Sequence, residues 1–457
     1  MSNAMSNAVS SAMSATMSAT MSGMPNATTP VAHLVREHLA ARRSFRPVGS
    51  GTWLHGGGPF ADAEPIAVRS HHAGVVEYEP GDLVITVGAG MTWRELAQIT
   101  AAHGQMFALA PYGSDDSTLG AMVSTAAAAP LALGDLLMRD LVLGLEVVDG
   151  TGEVLRAGGR VVKNVAGFDL VRLFTGAHGT LGIITQLSLR LHARPPLDRL
   201  MRVTMSRPVA DALAGSLPAL IAQRAPLPLL LSHTPGQPLT LWARVSGNAA
   251  RVAALRAQLA ALAGTGAHEV DDLGDIDTPL DACVESPVES SGESSTRAGS
   301  AAAVLSPLDA LRHTPANAAV LRLRTSRSDA LPFVQAVHRT FPDASWQYHV
   351  ERGSLRLIVP HHVPHHVPHH VPHDVPHHAP SHDAMHELDT QLDLLYHHAA
   401  AQGAMHRIAV AWDQGRAVPA PRSALDQQVK ARFDLAGLCS PWRVAPEVLH
   451  DAVVHTP

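Results

Sequence analysis

Cysteine is nearly missing: Cys283 and Cys439 are the only two in 457 residues. Two thiols supply neither a disulfide framework nor the four ligands of an iron–sulfur cluster, and they fit a reducing compartment. Aromatic residues are scarce as well, at 4%, so a core must be built from Leu, Val, Ala and Met. There is no basic surplus: 34 Lys and Arg against 40 Asp and Glu leave a net charge of −6, which argues against a nucleic-acid footprint. Long apolar runs are missing too. The most apolar window, Leu119 to Met138, is broken by Pro130, Gly134 and Asp135 and carries Ser124 and Thr125. It reads as buried core rather than a membrane span. Residues 1–28, largely a degenerate Met-Ser-(Asn/Ala) repeat, have no basic start and no apolar centre. They read as a disordered tail and not as a secretory signal.

What is there is glycine, in clusters. A short strand at Phe45–Val48 runs into Gly49-Ser50-Gly51-Thr52-Trp53 and a loop reaching Gly58. Clustered backbone N–H groups in such a loop can cradle a pyrophosphate. A dinucleotide-binding βαβ unit fits poorly, because Leu54 stands where the third glycine should be and no helix pattern follows. A second cluster, Gly176, Gly179 and Gly182 around Thr180, follows Lys163-Asn164-Val165-Ala166-Gly167-Phe168-Asp169-Leu170. Between them, Leu170, Leu173 and Phe174 can share one face of an amphipathic turn. A strand apolar at Ile183, Leu187, Leu189 and Leu191 comes next. Taken alone, this is a glycine-rich helix-to-strand connection, or a backbone lying close against something flat.

The remaining elements follow from periodicity and punctuation. A helix is expected over Val31–Arg42, and a strand, turn and strand over residues 75–87. Thr92-Trp93-Arg94-Glu95 is a capping box opening a helix to about His103, with Gly104 as stop. A hairpin spans Leu141–Arg156. After Pro195-Pro196 the pattern gives strand 200–205, helix 208–223, strands 228–233 and 239–245, and helix 249–263. It then recurs as strand 319–324, helix 329–340, strands 345–350 and 354–359, helix 384–400 and a strand near Arg407. Two β-α-β-β-α halves predict one antiparallel sheet with helices on one side. Two inserts interrupt it. Residues 284–303 are Ser/Glu-rich, and 361–380 read as five tetrads, HHVP HHVP HHVP HDVP HHAP. Proline every fourth residue forbids a helix. The imidazoles admit a metal-binding tract, but no fixed ligand geometry is evident, so a tolerated repeat expansion is the plainer reading and no metal site is assigned.

The Lys163–Thr185 stretch resembles the flavin-contacting segment of FAD-linked oxidases of the vanillyl-alcohol-oxidase superfamily, through KN-x-x-G-[YF]-D-L followed by G-x-x-G-T-L-G-I-I-T. It is most similar to the FAD-binding (E) subunit family of bacterial glycolate oxidase. The similarity runs from about Phe45 to Arg194 and resumes near the C-terminus. The resemblance implies an α+β chain: a PCMH-type two-lobed FAD-binding domain at 29–197, then an antiparallel-sheet α+β cap domain at 198–424 with disordered inserts at 284–303 and 361–383. A segment at 425–457 would return to the FAD domain. It implies non-covalent FAD held by Gly49, Ser50, Gly51, Thr52 and Trp53, by Pro111, Ser114, Thr118, Gly120 and Ala121, and by Lys163, Asn164, Gly167, Asp169, Gly176, Thr180, Gly182 and Ile183.

Several positions depart from the family pattern. The family usually has a second glycine at 121 and a Gly-Pro-Arg-Arg run where Ala129-Pro130-Leu131-Ala132 stands. A methyl at 121 can obstruct close backbone approach to phosphate, and two cations are gone. FDP and NPG near the end read Phe433-Asp434-Leu435 and Ser440-Pro441-Trp442. The histidine-rich HxGDGNxH-like motif of related catalytic subunits is absent; His406-Arg407 is the nearest substitute, and no catalytic residue is assigned. The implied function is that of an FAD-carrying subunit in the oxidation of glycolate to glyoxylate. Its partners would be a catalytic flavoprotein subunit and an iron–sulfur subunit, in the cytoplasm or at the inner face of the membrane through the complex. Two alternatives stay open: a self-sufficient FAD oxidase of another small hydroxy acid or alcohol, and a scaffold subunit that has lost FAD.

Overall fold

The computed structural model describes residues 29–52, 63–128, 131–133, 136–159, 169–205, 207–223, 228–263, 267–275, 311–312, 318–360, 409–414, 424–436 and 438. The amino-terminal repeat, Trp53, Lys163, Asn164, Gly167, both inserts and the expected helix 384–400 lie outside them. The chain divides into two compact units. Described residues of Met1–Ala128, Leu136–Ala193 and Arg416–Pro457 make the first; those of Ala129–Asp135 and Arg194–Gly415 make the second.

The first unit opens with helix α1, Pro30–Ala40, where Thr29 Oγ1 accepts from the Ala32 N–H and proline fills the first turn. Strands β1 (Phe45–Val48) and β2 (Glu64–Ala67) pair in parallel. Strands β3 (Val75–Glu79) and β4 (Val84–Gly88) flank a 3-10 turn at Pro80–Asp82. The capping box is formed: Thr92 Oγ1 accepts from the Glu95 N–H at 3.2 Å and Glu95 accepts from the Thr92 N–H at 2.7 Å. The helix it opens, α2, closes at Ala101 rather than His103. Strand β5 (Gln105–Met106), helix α3 (Leu119–Thr125), helix α4 (Met138–Leu141), strands β6 (Val142–Asp149) and β7 (Val154–Gly158), helix α5 (Leu170–Phe174), strand β8 (Gly182–Arg190) and strand β9 (His192–Ala193) follow. One antiparallel sheet runs β3-β4-β8-β6-β7, and β5 pairs with β9. In α5 the buried pair is Val171 and Phe174, one turn apart, while Leu170 and Leu173 are half-buried. The expected apolar face is thereby rotated.

The second unit is an eight-stranded sheet. Its elements are β10 (Leu197–Met205), α6 (Val209–Gln223), β11 (Leu229–His233), β12 (Thr240–Gly247), α7 (Ala249–Ala263), β13 (Ala267–Asp275), β14 (Ala318–Arg324), α8 (Ala330–Thr340), β15 (Ser345–His349), β16 (Ser354–Pro360) and β17 (Ala409–Gln414). Every pairing is antiparallel, in the order β13-β10-β12-β11-β15-β16-β14-β17. Each half places its strands in mirror-image sequence, and the halves join where β11 meets β15. Leu229, Leu230 and Leu231 are all buried, so this central strand is covered on both faces. One apolar cluster joins Leu200, Leu230 and Leu311 to Leu131, with Trp242 packed against it. This cluster explains why the described residues 131–133 group with the second unit, within a stretch expected in the FAD domain. Ala193, in β9, stays with the first unit. Helix α9 (Ala424–Phe433) closes the described chain in the first unit.

Candidate functional site

A cleft, partly open to solvent, lies in the first unit. One wall is β1 and the loop it feeds, Arg46 to Thr52, set against Ala89 and the start of α3 at Thr118, Gly120 and Ala121. These pieces are hydrogen-bonded into register. Leu119 N–H donates to the Met91 carbonyl, Gly120 N–H to the Ala89 carbonyl at 2.8 Å, and the Thr52 and Ser117 hydroxyls pair at 2.9 Å. Thr118 caps α3. The loop passes so near it that a Cβ on Gly49 would lie 2.2 Å from Thr118 Oγ1, so only glycine fits there.

The facing wall is the 176–184 connection. Gly176 N–H donates to the Val123 carbonyl at 3.0 Å and His178 N–H to the Ser124 carbonyl at 2.8 Å. His178, Gly179, Gly182 and Ile184 line the cleft on this side, with Ser124 and Thr125 from α3 between the walls. Arg46 is the cationic side chain among the described lining residues. Its Nε is buried without a hydrogen-bond partner. A buried guanidinium N–H beside glycine backbone and small hydroxyls is a donor set for a phosphate-bearing group. The donors present therefore fit a phosphate-bearing cofactor such as FAD. No group of three or more His, Cys, Asp or Glu suited to a metal occurs among the described residues.

Of the residues expected at the site, Gly49, Ser50, Gly51, Thr52, Thr118, Gly120, Ala121 and Gly182 line this cleft. Ile183 does not. Side chains alternate along a strand; Ile183 is fully buried in the sheet and Ile184 takes the cleft position. Pro111 and Ser114 do not line it either; Ser114 Oγ accepts from the Asp116 N–H in a local turn. Asp169 caps α5 through the Arg172 N–H at 3.0 Å and pairs with the Arg172 side chain. Gly176 and Thr180 shape the loop from behind, the Thr180 hydroxyl donating to the Ala177 carbonyl at 2.7 Å. The lining residues that sequence reasoning did not name include Arg46, Val68, Ala89, His178 and Ile184. Only Arg46 carried a usable signal, as a cation at the mouth of a glycine loop. The missing arginines of the 129–132 run are explained: Leu131 is buried in the second unit's apolar cluster and its carbonyl accepts from Arg244 Nη1 at 3.0 Å.

Residues 24–158, mostly in the first unit, match the family model described as an FAD binding domain. The chain is 35% identical over 195 residues to glycolate oxidase subunit GlcE of Escherichia coli (strain K12), a match covering 42% of this chain and 53% of that one. It is 29% identical to glycolate oxidase subunit GlcD of Bacillus subtilis (strain 168), over 44% of this chain and 42% of that one. The chain thus spans about half the length of the curated relatives it matches. Among solved structures, 4-ethylphenol oxidase from Gulosibacter chungangensis aligns with a TM-score of 0.61 at 16% identity, over 91% of this chain and 87% of that one. An alkyldihydroxyacetonephosphate synthase aligns at 0.57 and 13%, over 92% and 76%. These two share the α+β fold. Among the described residues, no helix is long and apolar enough to cross a membrane.

Proposed function

We propose that this chain is the FAD-binding subunit of a glycolate-oxidase-type complex that converts glycolate, or a close 2-hydroxy acid, to the 2-oxo acid. The observation that carries the reading is the cleft with Arg46, the Gly49–Thr52 loop and the 176–184 connection on its walls, in a chain similar to a named glycolate oxidase subunit. Bound FAD would supply a two-electron acceptor for the pair of hydrogens the hydroxy acid loses. The chain's own part is to bind and orient. Arg46 and the loop hydroxyls hold the charged end, and Gly179, Gly182 and Ile184 offer a smooth apolar surface to a flat ring. Lys163, Asn164 and Gly167, outside the described residues, remain proposed contacts of that ring, as does Trp53 of the loop. The binding is non-covalent in this reading.

This reading implies a division of labour with partner subunits. A catalytic flavoprotein subunit would hold the hydroxy acid, and an iron–sulfur subunit would carry electrons onward and tie the complex to the membrane's inner face. The test is to purify the chain alone and with both partner subunits. The isolated chain should show a flavin band near 450 nm that acid precipitation releases to the supernatant. It should not reduce a dye with glycolate or D-lactate, whereas the three-subunit complex should. Steady turnover by the isolated chain would replace this reading with that of a self-sufficient oxidase. A colourless chain that cannot be reconstituted with FAD would end it.

A further inference from the structure

The returning segment touches the first unit at three places. Lys430 Nζ donates to the Thr180 carbonyl, in the loop whose neighbours His178, Gly179 and Gly182 line the cleft. The Phe433 carbonyl accepts from the Gly150 N–H at 2.7 Å, and its ring sits edge-on to Phe174 with centroids 5.3 Å apart. The Leu438 carbonyl accepts from the Phe45 N–H at 2.9 Å, at the start of the strand that carries Arg46. One segment therefore holds both walls of the cleft. A single carboxylate joins the two grips. Asp434 Oδ2 accepts from Lys430 Nζ at 2.7 Å, and Asp434 Oδ1 accepts from the Leu438 N–H at 3.1 Å. The pair is shielded from water, with side-chain exposures of 12% for Lys430 and 0% for Asp434.

We propose that Lys430 and Asp434 are positioning residues that latch the two walls at the spacing FAD requires, so that docking of residues 424–438 and FAD binding favour each other. An ion pair taken out of water gains little stability over a well-packed apolar pair. What it adds is directional: the ammonium fixes a carbonyl in one wall, and the carboxylate fixes the backbone that reaches the other. Reciprocity then follows from linkage, since a segment that raises the affinity for FAD must be held more tightly once FAD is bound.

The inference rests on the reading that the cleft holds FAD, and the test separates the two. Hydrogen exchange of residues 424–438 is measured in the full wild-type chain with and without saturating FAD, and FAD affinity is titrated by flavin fluorescence. Slower exchange with FAD is expected. Lys430→Met should weaken FAD binding by about five- to a hundredfold and alter the visible circular dichroism of the bound flavin, with Lys430→Arg restoring both. If Lys430→Met fails to fold, the exchange measurement on the wild type decides alone. Wild-type chain that binds FAD with unchanged exchange at 424–438, or a Lys430→Met variant with wild-type affinity, overturns the latch. Wild-type chain that binds no FAD overturns the flavin reading and the latch together.

Discussion

Acid should loosen the second unit well before it reaches the carboxylate range, and two histidines set the size of the effect. His233 on β11 is 6% exposed and His349 on β15 is 7% exposed. Burial pushes His233 down to about 4, helped by the neighbouring His338, against a hydrogen bond to the Gln237 backbone that acts the other way. Burial pushes His349 down to about 3, with Arg352, Arg356, Arg322 and Arg324 adding repulsion. His338 on α8 is lowered too, by burial and then Arg339, and its ring packs edge-on against His233 at 4.8 Å. A depressed histidine pKa means the folded state prefers the neutral ring. As pH falls below about 6.5 the unfolded chain takes up protons that the folded chain refuses, so stability is full above that pH and is lost below it. The slope is about 1.4 kcal/mol per pH unit for each ring until its folded pKa is reached.

Between pH 7 and pH 5 each of the two rings therefore removes about 2 kcal/mol, and the pair about 4 kcal/mol. That is a large share of the roughly 5–15 kcal/mol that holds a domain together. Urea unfolding followed by far-ultraviolet circular dichroism at both pH values measures it. The comparison is with a double variant, His233→Phe and His349→Gln. Phenylalanine keeps the ring contacts to His338 and Trp346, so the variant should fold. Its loss of stability between pH 7 and pH 5 should be smaller than the wild type's by about 4 kcal/mol. Equal losses in the two proteins would refute the argument, because the protons would then be entering elsewhere.

Two further expectations concern the core and the cleft. Gly182→Ala would set a Cβ 2.7 Å from both Val147 Cγ1 and the Val148 carbonyl, so it should cost about 1–3 kcal/mol and reduce bound flavin, read by thermal melting and by absorbance at 450 nm; unchanged flavin content would show that the β8 entrance tolerates a shift. Asp198→Ala would leave Arg244 buried without the carboxylate it grips at 2.5 and 2.8 Å, which should destabilise the second unit by about 3–5 kcal/mol in urea unfolding. A loss below about 1 kcal/mol would show that water replaces the carboxylate.

The parts of the fold legible in the sequence were those governed by local rules. The capping box at Thr92 and Glu95, the strand at Phe45–Val48 and the helix at Ala249–Ala263 need only neighbours in the chain. Strand order depends on distant partners: nothing near Leu229 says that β11 will meet β15 across more than a hundred residues, or that the two halves will be joined there. Helix α9 was not foreseen as a helix, because ALDQQVKARF has too few apolar residues to declare a face; it is held by Phe433 and Lys430 acting on groups 250 and more residues earlier. The cleft shows the same division. Glycine clusters marked both walls, yet which of Ile183 and Ile184 faces inward depends on the strand's register, and a single residue decides it.

Register and context also decide what the unusual 129–132 run means, and here a substitution can choose between two readings. By analogy, Leu131 and Ala132 stand where cations could serve the flavin, so restoring arginine would be expected to improve FAD binding. Physically, Leu131 is 3% exposed among Leu200, Leu230 and Leu311, and its backbone already satisfies one N–H of Arg244. It is not among the residues lining the cleft. An arginine there would bury a charge in an apolar cluster beside an existing guanidinium, with no carboxylate added to receive it, a change that costs several kcal/mol. Leu131→Arg should therefore lower the stability of the second unit in urea unfolding by about 3 kcal/mol or more and leave the FAD affinity of the folded fraction unimproved. A variant of wild-type stability that binds FAD more tightly would instead mean that this segment serves the flavin after all.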